Sequence, residues 1–475
     1  MNGKLLASGI ILSLIVAYFV IPPIYNQYQQ EQFYNNLITT TAVNNADLAR
    51  VLYYYKQLQD DINALNLRVT TNENDITQIL IDIANLQSAI NTLQLWQIQH
   101  PQISEYDYIV GKWDNGTYYA LSGETGTIAC SGDNASEVIQ NCADILMNGG
   151  AIYIKTGLYE IDTKITLGSN ILLCGSGSDT ILKQADNSNL RDIIQVGSNT
   201  KISDIAFDGN KVNQASGNGR GVYAENSENV TIENCYFKNT KGISILFYQC
   251  FKCLADSNRI INSSEYGILV SRTNFSMITN NIVEQPDVFG SGHQAIVIAN
   301  STHSSITTNT VYNSSIQIQF STYCKMADNT IINPGADTGI DHSKHCLVTG
   351  NIVINAEDNA FSCYYCSYCV IDGNIGNGSQ HAGICIDHTN YTIVSDNSMG
   401  YAGQAGSGFR AGIEFYFSYN CTCMSNYCHN NLVGIRATQG DFNQIHYNDV
   451  RNGNTTPLEC TETNTNHTNN FGAGD

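Results

Sequence analysis

A repeating pattern of apolar and polar positions runs along the chain from about residue 150 into its C-terminal part. Each repeat has a short apolar strand leading into an asparagine, a second strand following it, and a third opening with Gly-Ile or Gly-Val. The spacings between successive asparagines are 24, 23, 28, 20, 22, 23, 23, 29 and 22 residues. Three short strands in about 23 residues predict one coil of a β-solenoid. The asparagines are Asn234, Asn258, Asn281, Asn309, Asn329, Asn351, Asn374, Asn397, Asn426 and Asn448.

Two columns of side chains are predicted to stack through this solenoid. The repeated asparagine is expected at a corner, because Asn tolerates a left-handed φ and its amide can bond to the next coil. Five residues before it stand small side chains, several of them cysteines. On adjacent coils these lie about 4.8 Å apart, so we interpret the thiols as inert packing groups. The Cys363-x-x-Cys366-x-x-Cys369 run is assigned to the same packing, and neither a metal nor another cofactor is predicted.

The N-terminal region has a different pattern. Leu5 to Ile21 is an uncharged run of seventeen residues, preceded by Lys4 and closed by Pro22-Pro23. This is the short end of the length range for a membrane-spanning helix, and the alternative interpretation is a cleaved signal peptide. We predict an uncleaved anchor, because no convincing small-residue cleavage site follows the run.

A heptad repeat extends from Leu48 to Gln97. Thirteen of its fifteen a and d positions are apolar or aromatic, which indicates a coiled coil. Asn72, a polar residue at d, is expected to fix the register. Ile at a with Leu at d favours a dimer, whereas Val69-Thr-Thr-Asn72 resembles the layers of trimeric adhesin stalks in which three amides surround an anion. We predict a trimer; a dimer and a long amphipathic helix packed on its own domain are the alternatives.

Composition excludes some partners. The chain has 22 Lys and Arg against 42 Asp and Glu, a net charge of −20. Because no basic stripe is present to neutralise phosphates, nucleic acid is not an expected partner. Electrostatic docking to an anionic membrane surface is disfavoured for the same reason.

Twelve N-x-[ST] sequons follow the predicted anchor, a density that favours an outward-facing glycosylated body. Asn-rich sequences also generate such triplets by chance. Cys130 and Cys142 are the disulfide candidates, with the connectivity left open. The candidate glycosylation sites are Asn115, Asn134, Asn229, Asn262, Asn274, Asn300, Asn313, Asn377, Asn390, Asn420, Asn454 and Asn466.

Two segments stand before the repeats, Ala135-Ser-Glu-Val-Ile-Gln-Asn-Cys-Ala-Asp144 and Gly149-Gly-Ala-Ile-Tyr-Ile-Lys-Thr-Gly-Leu-Tyr-Glu160. Together they resemble the start of the β-helix in the pectate-lyase superfamily, where a short amphipathic helix caps the first coil. Tyr118-Tyr-Ala and Gly123-Glu-Thr-Gly126 are similar to lead-in segments of tailspike-like β-helix proteins of archaea and archaeal viruses. The resemblance implies an all-β, right-handed parallel β-helix over roughly residues 105 to 455. It specifies no activity, because the superfamily contains lyases, hydrolases, epimerases, tailspikes and inactive adhesins.

These segments give the predicted architecture, a β-helix head preceded by an N-terminal transmembrane helix and a long parallel coiled coil. The predicted boundaries are a transmembrane anchor 1–24, a connector 25–45, a coiled-coil stalk 46–99, a neck and β-helix cap 100–149, the right-handed parallel β-helix 150–454 and a flexible tail 455–475.

Outward-facing positions on the Gly-Ile strands give the candidate site, because alternate residues of a strand point to the same face. Asp387 and Glu414 are predicted on adjacent coils with an offset of two residues, about 8 Å apart. Inverting glycosidases hold acid and base about 6.5–9.5 Å apart. The hypothesis is an acid/base pair, with Asp341 as an accessory carboxylate in the column of Glu414. The competing interpretation is a solvated polar face with an exposed Glu414–Arg436 ion pair.

Aromatic and basic side chains beside this pair are predicted to bind carbohydrate, some as platforms on which sugar rings stack. Because the net charge is −20, neutral or basic glycans are expected rather than acidic ones. The predicted carbohydrate-binding residues are Tyr364, Tyr365, Tyr416, Phe417, Arg436 and His388.

Three functions fit these features. The first is a membrane-anchored trimeric spike of an archaeal virus that attaches to host surface glycans, with avidity supplied by the trimer. The second is a glycan-depolymerising spike, hydrolase or lyase-like, and the third is a cellular envelope adhesin or stalk protein. Binding without catalysis is favoured. Expected partners are two further copies of the chain, host glycans or glycoproteins, the lipid membrane through the N-terminal helix, and other virion tail proteins. The expected location is a virion surface or cell envelope, with the C-terminal body outside.

Overall fold

A computed structural model describes residues 105–215, 219–285, 294–403 and 410–472. Within these ranges the chain is almost entirely β-structure. No helix in the four ranges has the length and hydropathy of a membrane span. The predicted anchor Leu5–Ile21, the coiled coil 46–99 and Asn72 lie outside the described residues.

The N-terminal part of this body combines an antiparallel lead-in with the first coils. β1 pairs antiparallel with β2 and parallel with β4, which joins the lead-in to the solenoid. A 3-10 turn lies at Lys211–Asn213. The elements are β1 (Tyr108–Lys112), β2 (Tyr118–Ser122), β3 (Ile128–Gly132), α1 (Ala135–Ile145), β4 (Gly150–Ile154), β5 (Gly157–Ile161), β6 (Ile165–Leu167), β7 (Ile171–Gln184), β8 (Asp192–Val196) and β9 (Lys201–Asp208).

The helix α1 is fixed by its first residues and by one apolar face. The Oδ1 atom of Asn134 accepts the backbone N–H of Ser136 at 2.8 Å and that of Glu137 at 3.3 Å, which caps the helix. Val138 and Ile139 are buried in the core. The capping helix implied by the pectate-lyase resemblance is therefore present before the first coils.

The remaining strands form the repeating coils, with one longer strand followed by two short ones in most coils. Their bounds are β10 (Arg220–Glu225), β11 (Thr231–Glu233), β12 (Tyr236–Lys238), β13 (Ile245–Tyr248), β14 (Leu254–Asp256), β15 (Arg259–Ile261), β16 (Ile268–Ser271), β17 (Met277–Thr279), β18 (Ile282–Glu284), β19 (Ile296–Ala299), β20 (Ser305–Thr307), β21 (Thr310–Tyr312), β22 (Ile316–Gln319), β23 (Lys325–Ala327), β24 (Thr330–Ile332), β25 (Thr338–Asp341), β26 (Leu347–Thr349), β27 (Ile352–Ile354), β28 (Phe361–Tyr364), β29 (Val370–Asp372), β30 (Ile375–Asn377), β31 (Ile384–Asp387), β32 (Ile393–Ser395), β33 (Ser398–Gly400), β34 (Ala411–Tyr416), β35 (Thr422–Met424), β36 (Tyr427–His429), β37 (Val433–Thr438), β38 (Gln444–His446) and β39 (Thr456–Cys460).

Strands of successive coils stack in parallel to form two sheets. In the described residues, one sheet has 13 strands, from β6 through the longer strand of each coil to β39, and the other has 26. Apolar side chains of both sheets fill the interior, where Ile245, Ile268 and Ile296 are fully buried on neighbouring coils. Each such burial stabilises the fold by about 1.5–3 kcal/mol. The predicted parallel β-helix is confirmed.

A ladder of buried asparagines joins successive coils. The Oδ1 atom of Asn351 accepts the backbone N–H of Asn329 at 3.0 Å and its Nδ2–H at 2.8 Å. Asn351 in turn donates through Nδ2 to the Met326 carbonyl at 3.0 Å. The same bonds recur from Asn258 to Asn470. The predicted amide bonding between coils is confirmed.

The ladder differs from expectation in two respects. Asn234 is not part of it: Cys235 takes that interior position, and its N–H donates to Asn258 Oδ1 at 3.0 Å. The left-handed corner residue is the one before the ladder asparagine, as with Asn280 (φ 55°) and Asp328 (φ 56°). The ladder asparagine itself is turned inward, because its amide must reach both the next coil and an interior carbonyl.

The predicted column of small side chains is confirmed from Cys253 to Cys421, where its members are at most 2% exposed. Their thiols donate to backbone carbonyls, as Cys346 does to Ser321 at 3.7 Å. The column does not include Asn229, which is exposed, because Val230 holds the position that pairs with Cys253.

The solenoid continues beyond residue 454. β39 pairs in parallel with β37, and the amide of Asn448 donates to Asn470 Oδ1 at 2.9 Å. Isolated parallel bridges attach Asn466 and Phe471 to the preceding coil. The described part of the predicted flexible tail therefore forms a further coil.

Candidate functional site

The outer face of the 13-stranded sheet carries two columns of outward-facing side chains. Both follow from the register of the parallel strands. The first column is Tyr223, Leu246, Leu269, Val297, Gln317, Gly339, Ser362, Cys385, Glu414, Arg436 and Glu459. The second column is Glu225, Tyr248, Ser271, Ala299, Gln319, Asp341, Tyr364, Asp387, Tyr416 and Thr438.

The structure corrects the predicted position of one carboxylate. Asp341 lies in the second column, beside Tyr364, and not in the column of Glu414. The reason is that Gly339 is an outward-facing position within β25 and not the glycine that opens the strand. The predicted offset between the other two carboxylates holds, because Asp387 pairs with Tyr416 while Glu414 lies on the same adjacent strand, two residues earlier.

Glu414 is sealed from solvent. Its side chain is 0% exposed and lies 2.8 Å from Arg436 Nη1, and its Oε2 accepts the Arg410 backbone N–H at 3.0 Å. Burial raises the pKa of Glu414, while the Arg410 N–H and the Arg436 guanidinium oppose that rise. Arg436 Nε lies 3.3 Å from Glu459. Glu414 is buried and the Arg436 side chain is 23% exposed, so the pair is not the solvent-exposed ion pair of the competing interpretation.

The other two predicted carboxylates face histidines. Asp387 Oδ1 lies 2.5 Å from His388 Nδ1, and Asp341 Oδ1 lies 2.7 Å from His342 Nδ1. The Asp387 side chain is 17% exposed, so solvent reaches it, unlike Glu414. The catalytic roles of Asp341, Asp387 and Glu414 stay predictions.

A polar cluster that the sequence analysis missed lies beside Tyr364. Asp337, only 8% exposed, accepts the Asn359 backbone N–H at 3.0 Å and its Nδ2–H at 3.2 Å through Oδ1. Asn359 Nδ2 also donates to the Tyr364 hydroxyl oxygen at 2.9 Å. Burial, followed by the charge of Asp358, raises the pKa of Asp337 from 3.8 to about 6. Asn359 thus holds the Tyr364 hydroxyl group, and the predicted contact of Tyr364 with a sugar stays a prediction.

A histidine–carboxylate pair adjoins this cluster. His381 Nδ1 lies 2.6 Å from Asp358 Oδ1, and both side chains are more than one third exposed. Asn359 Nδ2 donates to Asp358 Oδ1 at 3.2 Å, so one amide contacts both carboxylates. Burial raises the pKa of the adjacent Cys385 thiol. We call the surface formed by Asp337, Asp358, Asn359, Tyr364, His381, Cys385, Asp387, Glu414, Tyr416 and Arg436 the polar face.

Two ring stacks run along the corner next to the second column, one ring per coil. In the first, ring centroids are 4.7–4.8 Å apart; in the second, 4.8–5.2 Å. Every ring belongs to a residue with left-handed φ. The first ring stack is Phe320, His342, Tyr365, His388 and Phe417, and the second is Phe275, His303, Tyr323, His345, Tyr368 and Tyr391.

The first ring stack bears on three of the predicted sugar contacts. Both faces of Tyr365 and of His388 are covered by neighbouring rings. Phe417 ends the stack, with one face against His388 and an edge contact with Tyr416 at 4.6 Å. Tyr365 and His388 therefore present edges rather than faces to solvent, and a sugar would meet them through hydrogen bonds.

The sequons and the disulfide candidates differ in their surroundings. The Asn134 amide donates to Asp162 at 2.9 Å, and the Asn454 amide donates to the Cys428 carbonyl at 2.7 Å. Asn377, by contrast, is exposed. All sixteen cysteines are free thiols. Among them, Cys130 and Cys142 contact each other. The exposed acceptors are Asn115, Asn229, Asn300, Asn377, Asn390, Asn420 and Asn466.

Comparison with known proteins places this body among β-helix proteins. The family described as "Periplasmic copper-binding protein (NosD)" matches residues 143–333 and 318–473. No curated protein sequence matches the chain.

Three solved structures share the fold at low sequence identity. The A-module of the Azotobacter vinelandii mannuronan C-5 epimerase AlgE6 is 14% identical, with a TM-score of 0.53, covering 72% of this chain and 96% of that one. PfbA, a surface adhesin of Streptococcus pneumoniae, is 15% identical, with a TM-score of 0.52 and coverages of 66% and 88%. The alginate lyase AlyF-OU02 is 14% identical, with a TM-score of 0.50 and coverages of 66% and 82%.

Proposed function

Because this chain belongs to the NosD family, whose matching region is the parallel β-helix, we propose that it is an envelope or particle-surface protein that binds a glycan along the polar face. The observation that carries the proposal is the concentration of polar and titratable side chains on one end of a single sheet face. Asp337, Tyr364 and Asp387 fall within three successive coils of it. Convergent polar groups of this kind fix the orientation of a bound ligand.

The chemistry of the polar face favours a neutral or basic glycan. Its carboxylates outnumber its cations, and the guanidinium of Arg436 is occupied by Glu414 and Glu459. A chain with a net charge of −20 would repel an acidic polysaccharide. The solved structures with this fold include a surface adhesin and enzymes named for alginate and mannuronan, which supports a carbohydrate ligand in general.

Display on a surface would strengthen weak sugar contacts. The membrane anchor and trimeric stalk predicted from residues outside the described ranges would present several polar faces together, and avidity would follow. Origin from an archaeal virus, the homotrimer and contacts with virion tail proteins stay predictions from the sequence.

The family description also names copper, and the donor set in the described ranges does not fit it. No group of three or more His, Cys, Asp or Glu side chains there is arranged to hold a metal ion. The thiols of Cys346 and Cys369 donate to backbone carbonyls. The rings of His342 and His388 lie in the first ring stack, and each contacts an aspartate. Copper therefore has no role in the proposed function.

Retention of polysaccharides by the immobilised full-length chain tests the proposal. The probes are dextran, laminarin, galactomannan, xylan and chitosan, with alginate and polygalacturonate as acidic counterparts. We expect a neutral or basic probe to be retained, and the Asp387→Asn/Tyr416→Ala double variant to lose about tenfold in affinity, equal to about 1.4 kcal/mol. Asp396→Asn, at an exposed corner whose left-handed φ Asn tolerates, is the matched control. Absence of retention, or retention unchanged in the double variant, would contradict the proposal.

A further inference from the structure

We propose that Asp337 and the Asp358–His381 pair form an acid–base centre that hydrolyses a glycosidic bond of a neutral glycan held on the polar face. The inference rests on the proposed function, because it needs a glycan bound there. It involves none of the acid/base residues that the sequence analysis selected.

Asp337 has the features of a proton donor. It stands where the other coils have small side chains, among them Gly267, Ala360 and Gly383. It lies immediately before β25, and packing around it leaves 8% of the residue exposed. Its raised pKa keeps the carboxyl group protonated in mildly acidic solution, so it can transfer a proton to a glycosidic oxygen.

Asp358 and His381 have the features of an oriented base. The 2.6 Å contact between Asp358 Oδ1 and His381 Nδ1 fixes the imidazole ring. With the proton on Nδ1, the lone pair of Nε2 is available to accept one. The His381 side chain is 36% exposed, so water can reach it.

Asn359 joins the two halves of the centre. Its Nδ2 lies 3.2 Å from Asp337 Oδ1, 3.2 Å from Asp358 Oδ1 and 2.9 Å from the Tyr364 hydroxyl oxygen. Asn359 is itself 1% exposed, which holds this amide in place. The proton donor and the carboxylate that orients the base are therefore positioned by one buried side chain.

The reaction balances without a cofactor. The bond between the anomeric carbon and the glycosidic oxygen breaks, and the proton of Asp337 goes to that oxygen. A water molecule bonds to the anomeric carbon, and its proton goes to Nε2 of His381. Solvent then returns a proton to Asp337 and removes one from His381. The products are two shorter glycans, one of which carries a new reducing end, and nothing is oxidised or reduced.

The test uses the full-length chain and whichever of the neutral or basic polysaccharides above the wild type retains. At about pH 6, close to the pKa of Asp337, we expect new reducing ends from wild type and a loss of about 100-fold or more in Asp337→Asn and His381→Gln, the usual contribution of a general acid or base. Both variants should keep the near-ultraviolet circular dichroism of wild type, which shows that they are folded. Asp396→Asn should release reducing ends at the wild-type rate. The wild-type rate should fall as the pH rises above about 6, where Asp337 loses its proton.

The outcomes separate this inference from the proposed function. A polysaccharide that is retained but stays intact contradicts the hydrolysis and leaves binding standing. Equal release by wild type and Asp337→Asn also contradicts it. If no polysaccharide is retained, both proposals are wrong.

Discussion

The first column of the 13-stranded sheet changes character halfway along. Its first four residues, Tyr223, Leu246, Leu269 and Val297, are apolar. Tyr223 and Leu246 are buried with Ile243 in a small cluster outside the solenoid. From Gln317 onward, the column is polar or small, and its last three residues, Glu414, Arg436 and Glu459, are joined by ion pairs.

The interior does not share this change. Ile245 and Ile268 pair in the apolar half just as Ile384 and Ile413 do in the polar half, and all four are fully buried. The interior and the asparagine ladder therefore specify the coil, while the outward residues are available for either packing or chemistry. In a solenoid, each coil mainly contacts its neighbours, so such a difference stays local.

The largest expected effect is in the polar half. Arg436→Met leaves the fully buried Glu414 without its guanidinium partner and should lower the free energy of unfolding by about 3–5 kcal/mol, measured by urea denaturation. The loss should shrink in acid, because burial already raises the pKa of Glu414 and protonation removes the unpaired charge. Glu414→Gln combined with Arg436→Met should recover stability; no recovery would show that Arg436 acts through packing alone.

The next substitution, at Asp337, should raise the free energy of unfolding instead of lowering it. The folded-state pKa of Asp337, about 6 against 3.8, means that the wild type loses stability as the pH rises through this range. The full difference corresponds to up to about 3 kcal/mol, at about 1.36 kcal/mol per pH unit. Asp337→Asn should therefore be more stable than wild type above about pH 6 and similar near pH 4, in urea titrations at both values. A stability difference independent of pH would contradict the buried-acid assignment.

A smaller effect is expected in the apolar half. Leu246→Ala should cost about 2 kcal/mol, at the low end for buried leucines, because the site lies on the outer face and can relax. Leu269→Ala, at the partly exposed neighbouring position, should cost less. Neither change should alter glycan retention. A loss of retention in either variant would show that the two halves act together.

The smallest loss of stability is expected from a substitution in the second ring stack, which lies outside both halves of the first column. His345→Asn keeps a residue that tolerates the left-handed φ of 53° but removes one ring from the second ring stack. The ring contacts Tyr323 and Tyr368 at 4.9 and 5.2 Å. Its loss should cost no more than about 1 kcal/mol, seen as a small fall in the thermal midpoint. A fall as large as that of Leu246→Ala would make the stack a principal support of the solenoid.

The fold could be predicted from the sequence because the coils stack regularly and repeat the same residue types at fixed spacings. Cys253 and Cys346 occupy the predicted interior column because each lies a fixed number of residues before a ladder asparagine. The errors were small shifts: Asn234 took the place of Cys235, one residue away, and Asp341 took that of Gly339, two residues away. The first arose because two adjacent residues at a corner can satisfy the same pattern, and only the hydrogen bonds decide between them. The second arose because Gly339 lies within β25 and does not open the strand.

The sequence pattern did not predict the polar cluster, because the cluster combines strand and loop positions. Asp358 and His381 lie 23 residues apart, one coil period, and so become neighbours when the coils stack. Asp337 and Asn359 are related in the same way, 22 residues apart. Comparing loop residues at the coil period would have found both pairs. The burial of Glu414 depends on packing around Arg410 and Arg436, which no spacing in the sequence reveals.

The ring stacks also have an optical consequence. Tyr368 and Tyr391 lie 5.0 Å apart and within 5° of parallel, and Tyr323 lies two coils before Tyr368 in the same stack. Aromatic rings held in a fixed asymmetric setting give near-ultraviolet circular dichroism, which disappears once packing is lost. The whole chain has two tryptophans against 28 tyrosines, so tyrosine should dominate this signal. Unwinding of the coils that carry the stacks would then be seen directly, without an added label.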